Sequence, residues 1–284
     1  MSLSNFIPSI WAGNLLSALD KAHVAVSVAN REYEGDIKQG GDSVRINQIG
    51  DITVGSYTKN TNISTAQDLQ DAQTILTIDQ QKYFNFQVDD VDKAQTKPKV
   101  MSEAMRKAAY ALRDTADTYL LGLYSQAGLG VGISGGVVSP VDLTSLNVED
   151  TLLQVGETMD GANIPREGRF GIVPPWVVTK MILAGLTTKT MNDVLWENGK
   201  LGKVLGFDIL MSNNVSKNSA SWDITRNIFG VRGMSLNYAE QILSVEAYRM
   251  ELRFADAVKG LHVYGAKWRA DATCVLYADK TAEA

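Results

Sequence analysis

Cysteine is almost missing from this chain: Cys274 is the only one. A single thiol excludes an intrachain disulfide and a structural zinc site built from several thiolates, and it predicts an inert buried side chain. Histidine is nearly as scarce. His23 and His262 are the only two and lie far apart in sequence, and Cys274 sits in no recognisable protease pattern. The motifs H-E-x-x-H and G-x-x-x-x-G-K-[ST] do not occur. No run of about 18 apolar residues is present, and no charged leader precedes an apolar core. Neither a membrane span nor a signal peptide is therefore expected. Lys and Arg total 27 against 32 Asp and Glu, a net charge of −5 without any basic block. That excludes a strongly basic phosphate-binding patch.

What remains is ordinary globular material. The 284 residues are 45% hydrophobic and 21% charged, enough for one large core or two interleaved ones. The stretch that organises them runs from Lys99 to about Ala127. Met101, Met105, Ala108, Leu112, Ala116, Tyr119 and Leu123 recur at spacings of three and four, which predicts one buried helical stripe. Glu103, Arg106, Lys107, Arg113, Asp114 and Asp117 fall outside it. Pro98 suits the entrance and Gly128 the exit. A helix of this length spans roughly 43 Å, long enough to serve different packing units at its two ends.

Before this helix, Phe84, Phe86 and Val88 alternate with Asn85 and Gln87, the pattern of a strand with one buried face. It ends in Asp89-Asp90-Val91-Asp92. These acids lack the spacing of an EF-hand, so a solvated strand end is expected rather than a cation site. Further upstream, strands are expected at Val44–Ile49, Ile52–Val54 and Ile75–Ile78, with the polar tract Ser56–Gln73 among them. That tract holds too few apolar residues for a core of its own. It reads as a two-stranded projection held by neighbouring molecules, or as a flexible surface hairpin. Residues 3–30 begin with Phe6-Ile7-Pro8 and continue as a short helix through Ile10, Trp11, Leu15, Leu16 and Leu19.

After the spine helix, Gly130, Gly132 and Gly135 satisfy G-x-G-x-x-G. The context is wrong, because a dinucleotide site needs a strand before and a helix after. A flexible junction is expected there. A second helix is predicted over 147–160, with Val148, Leu152, Val155 and Met159 inward and Asn147 and Asp150 favouring its start. A strand at Arg169–Val173 follows, then a helix opened by Pro174-Pro175. Lys200–Ser212 reads as β structure, with Phe207, Ile209 and Met211 alternating. The last third gives strands at Ile228–Val231, Val245–Phe254 and Thr273–Tyr277. Between these, Thr187–Gly202 is a long polar connection. Asn62-Ile63-Ser64 and Asn214-Val215-Ser216 match glycosylation sequons, which carry little weight without a secretory signal.

The junction of strand, Asp-Asp-Val-Asp and long Ala-rich helix resembles the major capsid proteins of tailed bacteriophages, which have the Hong-Kong-97-like fold. The order of elements on both sides agrees over nearly the whole chain. The resemblance implies an α+β chain divided into an N-terminal arm (1–35), an extended β-loop (36–82), a peripheral domain with the spine helix (83–136 and 245–284) and an α/β axial domain (137–244). It implies contacts between copies on the arm, the loop and the polar connection. Phe6, Trp11, Tyr57, Lys59, Asp68, Trp196 and Lys200 are the candidate intersubunit residues. A shell of pentamers and hexamers follows from the resemblance, without catalytic residues, metal or cofactor. So do a separate scaffolding protein, a portal, a decoration protein and enclosed double-stranded DNA, which an acidic wall would surround without gripping. Two other readings stay open: an encapsulin-like compartment with the same fold, and a soluble α/β enzyme whose site is dispersed.

Overall fold

The computed structural model describes residues 24–32, 43–49, 54–62, 71–89, 100–134, 137–186, 203–218, 224–251 and 254–280. Within the polar first third, residues 43–49 and 71–77 pair as a hairpin. Strand β1 (Ser43–Ile49) pairs antiparallel with β2 (Asp71–Thr77), from Ser43 opposite Thr77 to Ile49 opposite Asp71. Residues 54–62 between them are exposed throughout and form no strand, so the strand expected to end at Val54 does not reach it. After only Ile78 and Asp79 the chain turns into β3 (Gln80–Asp89). The root of the hairpin is firmly seated. Leu76 and Ile78 are buried against Ala239 and Val263. Gly265 makes this possible: a Cβ there would lie 2.3 Å from the Thr77 carbonyl oxygen.

The spine helix α1 (Val100–Gly122) forms where its periodicity places it and closes in a 3-10 turn, Leu123–Gln126. At 1.5 Å per residue its 23 residues span about 35 Å. Met105, Ala109, Leu112, Ala116, Leu120 and Leu121 make the buried stripe, while Ala108, Tyr119 and Leu123 are half-buried. The side chain of Met101 lies outside the described residues. Asp117 corrects the expected charged face, because it is 3% exposed and accepts a 3.0 Å hydrogen bond from the Val24 N–H. The reason is that a second layer, residues 24–32, packs on the flank of the helix and buries Ala25, Val26 and Val28.

Beyond α1, strand β4 (Leu129–Val131) and the ribbon β5 (Ile133–Ser134) and β6 (Val137–Val138) replace the expected flexible junction. Gly132 has φ +82°, and a Cβ there would meet the Tyr277 carbonyl oxygen at 2.8 Å, so the glycines serve close backbone approach. Next come β7 (Val141–Asp142), helix α2 (Val148–Gly161), β8 (Arg169–Val173) and helix α3 (Pro175–Leu183). Val148, Leu152, Val155 and Met159 are all buried on α2. Asn147 does not cap that helix with its side chain. Its amide instead ties down the preceding turn, donating to the Asp142 carbonyl and accepting from the Thr144 N–H.

The remaining strands are β9 (Lys203–Val204), β10 (Phe207–Met211), β11 (Thr225–Val231), β12 (Leu236–Arg249), β13 (Ala255–Trp268) and β14 (Cys274–Asp279). Phe207 and Ile209 face the core, but Met211 at the strand end is 55% exposed. The expected strand Val245–Phe254 is displaced: it begins at Leu236 and stops at Arg249, and Phe254 stands exposed after the turn. Strand β13 has no counterpart in the sequence reading. Its two faces are both largely covered, so no alternation marks it, and Gly260 is there because a Cβ would strike the Phe84 ring at 2.4 Å.

Two sheets organise the subunit. One is antiparallel, in the order β12-β13-β3, with α1 packed on the face bearing Phe84, Phe86, Val245 and Val258. The other runs β4-β14-β11-β8-β10-β9, with β7 also beside β14, and buries one face under α2 and α3. Its opposite face shares a core with the first sheet. There Phe170, Ile172, Ile228 and Val275 meet Tyr238, Tyr264, Trp268, Leu120 and Leu121. The residues 245–284 are thus divided between the sheets, since β14 pairs with β11, and position 244/245 falls inside β12. Cys274 is buried in β14, and burial pushes its thiol up to about 12, which leaves it inert.

Leu112 is 6% exposed among Met105, Ala109 and Val258. Leu112→Asp places an unpaired carboxylate there and is expected to cost on the order of 4 kcal/mol or more in urea denaturation, or to prevent folding. Arg106→Ala on the exposed face is expected to cost under about 0.5 kcal/mol. Equal losses would refute the assigned face.

Candidate assembly surface

The described residues hold no cluster of three or more His, Cys, Asp or Glu placed to bind a metal, and no described helix is long and apolar enough to cross a membrane. Of the candidate intersubunit residues, Tyr57 and Lys59 stand on the exposed tract between β1 and β2, with Tyr57 70% exposed. Phe6, Trp11, Asp68, Trp196 and Lys200 lie outside the described residues. Two of the candidates therefore fall among the described residues, both on the exposed stretch 54–62.

The roots of the projections are the better defined part. Residues 24–32 run as a strap along β12. The Asn30 N–H donates to the Leu236 carbonyl at 2.7 Å, the Tyr238 N–H donates to the Asn30 carbonyl at 3.0 Å, and the Gly233 N–H donates to the Val28 carbonyl at 2.9 Å. Arg31 closes the strap with an ion pair to Glu240. This part of the segment read as an arm packs on its own subunit.

Glu240 belongs to a small buried network. Tyr238 donates its hydroxyl to Oε2 at 2.7 Å, and His262 Nε2 lies 3.3 Å from the same oxygen. The His262 ring packs on Tyr264 at 4.9 Å between centroids, and Tyr264 meets Tyr119 edge-on at 5.6 Å. Tyr119 then donates to Asp79 Oδ1 at 2.9 Å, in the two-residue turn at the hairpin root. One chain of side chains therefore joins strap, β12, β13, spine helix and hairpin. Burial pushes the Tyr119 hydroxyl up to about 12, with the Asp79 carboxylate adding to it. Burial also opposes ionisation of Glu240, but the hydrogen bonds from His262 and Tyr238 and the Arg31 guanidinium outweigh it and hold Glu240 down to about 2.

Sequence reasoning missed this node. Tyr119 was legible only as a stripe residue and His262 only as an isolated histidine. Arg31, Asp79 and Glu240 gave no signal, because the contacts Arg31–Glu240, Tyr119–Asp79 and His262–Glu240 join residues 209, 40 and 22 positions apart.

The comparisons with known proteins agree on one architecture. A family model described as phage capsid protein matches residues 70–278. A solved structure titled Mycobacterium phage Che8 superposes with a TM-score of 0.71 and 27% sequence identity, covering 90% of this chain and 91% of that chain. The capsid structure of the cyanophage P-SCSP1u gives a TM-score of 0.70 at 19% identity over 92% and 89% of the two chains. A virus-like particle from Pyrococcus furiosus gives 0.59 at 14% identity over 95% and 99%. No curated protein sequence matches significantly.

Glu240 supplies the pH test. A carboxyl whose folded pKa is depressed contributes stability above its unfolded pKa and loses it as pH falls through the folded value, here between about 4.5 and about 2. Wild-type stability is expected to fall by about 3 kcal/mol more than that of Glu240→Gln across this window, at about 1.4 kcal/mol per pKa unit. Parallel urea midpoints for the two proteins from pH 5 to pH 2 would refute the network.

Proposed function

The chain belongs to the phage capsid protein family, and on that premise we propose how its parts build a shell. It is a major capsid protein with the Hong-Kong-97-like fold, a structural subunit of the virion capsid. The hairpin β1–β2 acts as the extended loop that lies over a neighbouring copy, and residues 1–35 as the arm, with 24–32 its attachment to its own subunit. The peripheral domain is the β12-β13-β3 sheet with α1, and the axial domain is the seven-stranded sheet with α2 and α3. Pentamers and hexamers of this unit close around double-stranded DNA, with scaffolding, portal and decoration proteins as separate chains. The subunit carries out no catalysis.

The observation that supports this most is the contrast between root and tip of the hairpin. Leu76 is fully buried, while Val54 and Tyr57 are 92% and 70% exposed. A polar tract that leaves Val54 and Tyr57 uncovered is material for another molecule. The compartment reading rests on shared fold alone, since the virus-like particle match is 14% identical.

Replacing residues 56–73 with a short Gly/Ser connection tests the loop. The circular dichroism spectrum and melting temperature of the subunit are expected to stay near wild type, because the tract adds little to the core. Closed shells are expected to disappear from electron micrographs of the co-expressed scaffold and subunit, because each lost contact is multiplied over every copy. Normal shells from the loopless chain would defeat the assignment; global unfolding would place the tract in the core.

A further inference from the structure

The link between β2 and β3 is only Ile78 and Asp79, and two phenols stand beside it. Tyr119 comes from the spine helix and Tyr264 from β13, where it lies directly opposite Gln80. Their rings meet edge-on at 5.6 Å. Tyr119 donates to Asp79 Oδ1 at 2.9 Å, and the Gln80 side chain bonds the same hydroxyl. The Tyr264 hydroxyl is buried and has no hydrogen-bond partner among the described residues.

An unpaired hydroxyl in a core is unfavourable, because it has given up water and gained no bond in exchange. A phenylalanine would fill the same space without that loss. The neighbours on one side offer nothing to it: the Tyr238 hydroxyl and His262 Nε2 are both directed at Glu240. On the other side is Asp79, one residue before the Gln80 that Tyr264 opposes. Burial pushes the Tyr119 and Tyr264 hydroxyls each up to about 12, and the Asp79 carboxylate adds to the rise in both. A carboxylate has lone pairs enough to accept from either phenol. In this structure Tyr119 holds it.

We propose that Tyr264 is the second stop of a two-position latch at the root of the β1–β2 hairpin, in which the Asp79 carboxylate is held by Tyr119 of the spine helix or by Tyr264 of the sheet. The exchange replaces one charge-assisted hydrogen bond by another of the same kind, so neither position forfeits the anchor. It needs little movement, since the two rings already touch and Asp79 is exposed. Leu76 and Ile78 remain seated against Ala239 and Val263 while the carboxylate turns. The hairpin root thereby keeps a bonded carboxylate when Tyr119 moves away with its helix.

The test is a mutant cycle on the full-length, unassembled chain with Tyr119→Phe, Tyr264→Phe and the double variant, all of which keep the rings. Amide hydrogen exchange of residues 76–80 is the readout. Tyr264→Phe is expected to leave protection at or slightly above the wild-type level, since its hydroxyl is unpaired. Tyr119→Phe is expected to lower it by less than about threefold, because Tyr264 takes over the carboxylate. The double variant is expected to lower it about tenfold or more, the loss of a hydrogen bond to a charged group. In an Asp79→Ala background the two tyrosine effects are expected to add. Additive effects with Asp79 present overturn the latch. So does a Tyr264→Phe loss equal to that of Tyr119→Phe, which would mean that a water already joins Tyr264 to Asp79. Non-additivity that persists without Asp79 also overturns it, because the coupling would then come from ring packing.

Discussion

One apolar joint under the C-terminal half of the spine helix carries the rest of this subunit. Trp268 is its centre. The indole is 1% exposed, packs against Phe170 of the neighbouring sheet and donates Nε1 to the Leu120 carbonyl at 2.9 Å. That carbonyl belongs to the last turns of the helix, and the Trp268 N–H is taken in turn by Gln126 Oε1. A large ring thus fills the space between the two sheets while its one polar atom satisfies a helix end. Around it, Ala116, Leu120 and Leu121 of the helix, Val26 and Val28 of the strap, and Tyr238 and Tyr264 of the antiparallel sheet form a single core. The two sheets therefore behave as one body, fused through the helix.

This joint decides where flexibility and contact are placed. The chain spends its large apolar side chains inside, and the hairpin between β1 and β2 is left with little of its own to bury. Its root is locked by Leu76, Ile78 and the close approach at Gly265, and its tip is bare. The strap and the hairpin root are also tied to the same polar and aromatic node, from Arg31 through Glu240 and His262 to Tyr119 and Asp79. The strap and the hairpin root are thus both tied to the same helix. A rigid body with firmly rooted extensions is what a shell subunit needs, since many weak contacts add only when each is held in register.

The parts legible in the sequence were those with a local period. The spine helix, the Phe84 and Phe86 strand and helix α2 all follow from spacing, because each has one buried face and one wet one, whereas strand Arg169–Val173 is a short run buried on both faces. Strand β13 did not show, since its faces are covered by different partners and its glycines serve the Phe84 ring and the Thr77 carbonyl rather than a turn. Asp117 was misplaced because the strap that covers it lies 93 residues away. The glycine-rich run after the helix read as a flexible junction, yet the sheet recruits Leu129–Val131 as a strand parallel to Cys274–Leu276. Long-range pairing leaves no local signature. Of the candidate contacts, Tyr57 and Lys59 lie on residues 54–62, which the structure leaves exposed.

The central claim is that folding and assembly use different residues: the joint holds the subunit and the projections hold the shell. Amide hydrogen exchange, compared between free subunits and assembled particles, tests it most directly. The account predicts that amides around Leu120, Tyr238, Tyr264 and Trp268 are strongly protected in both, and that protection of residues 54–62 appears only in the particle. Slow exchange of residues 54–62 already in the free subunit would contradict it. So would a joint that becomes protected only on assembly.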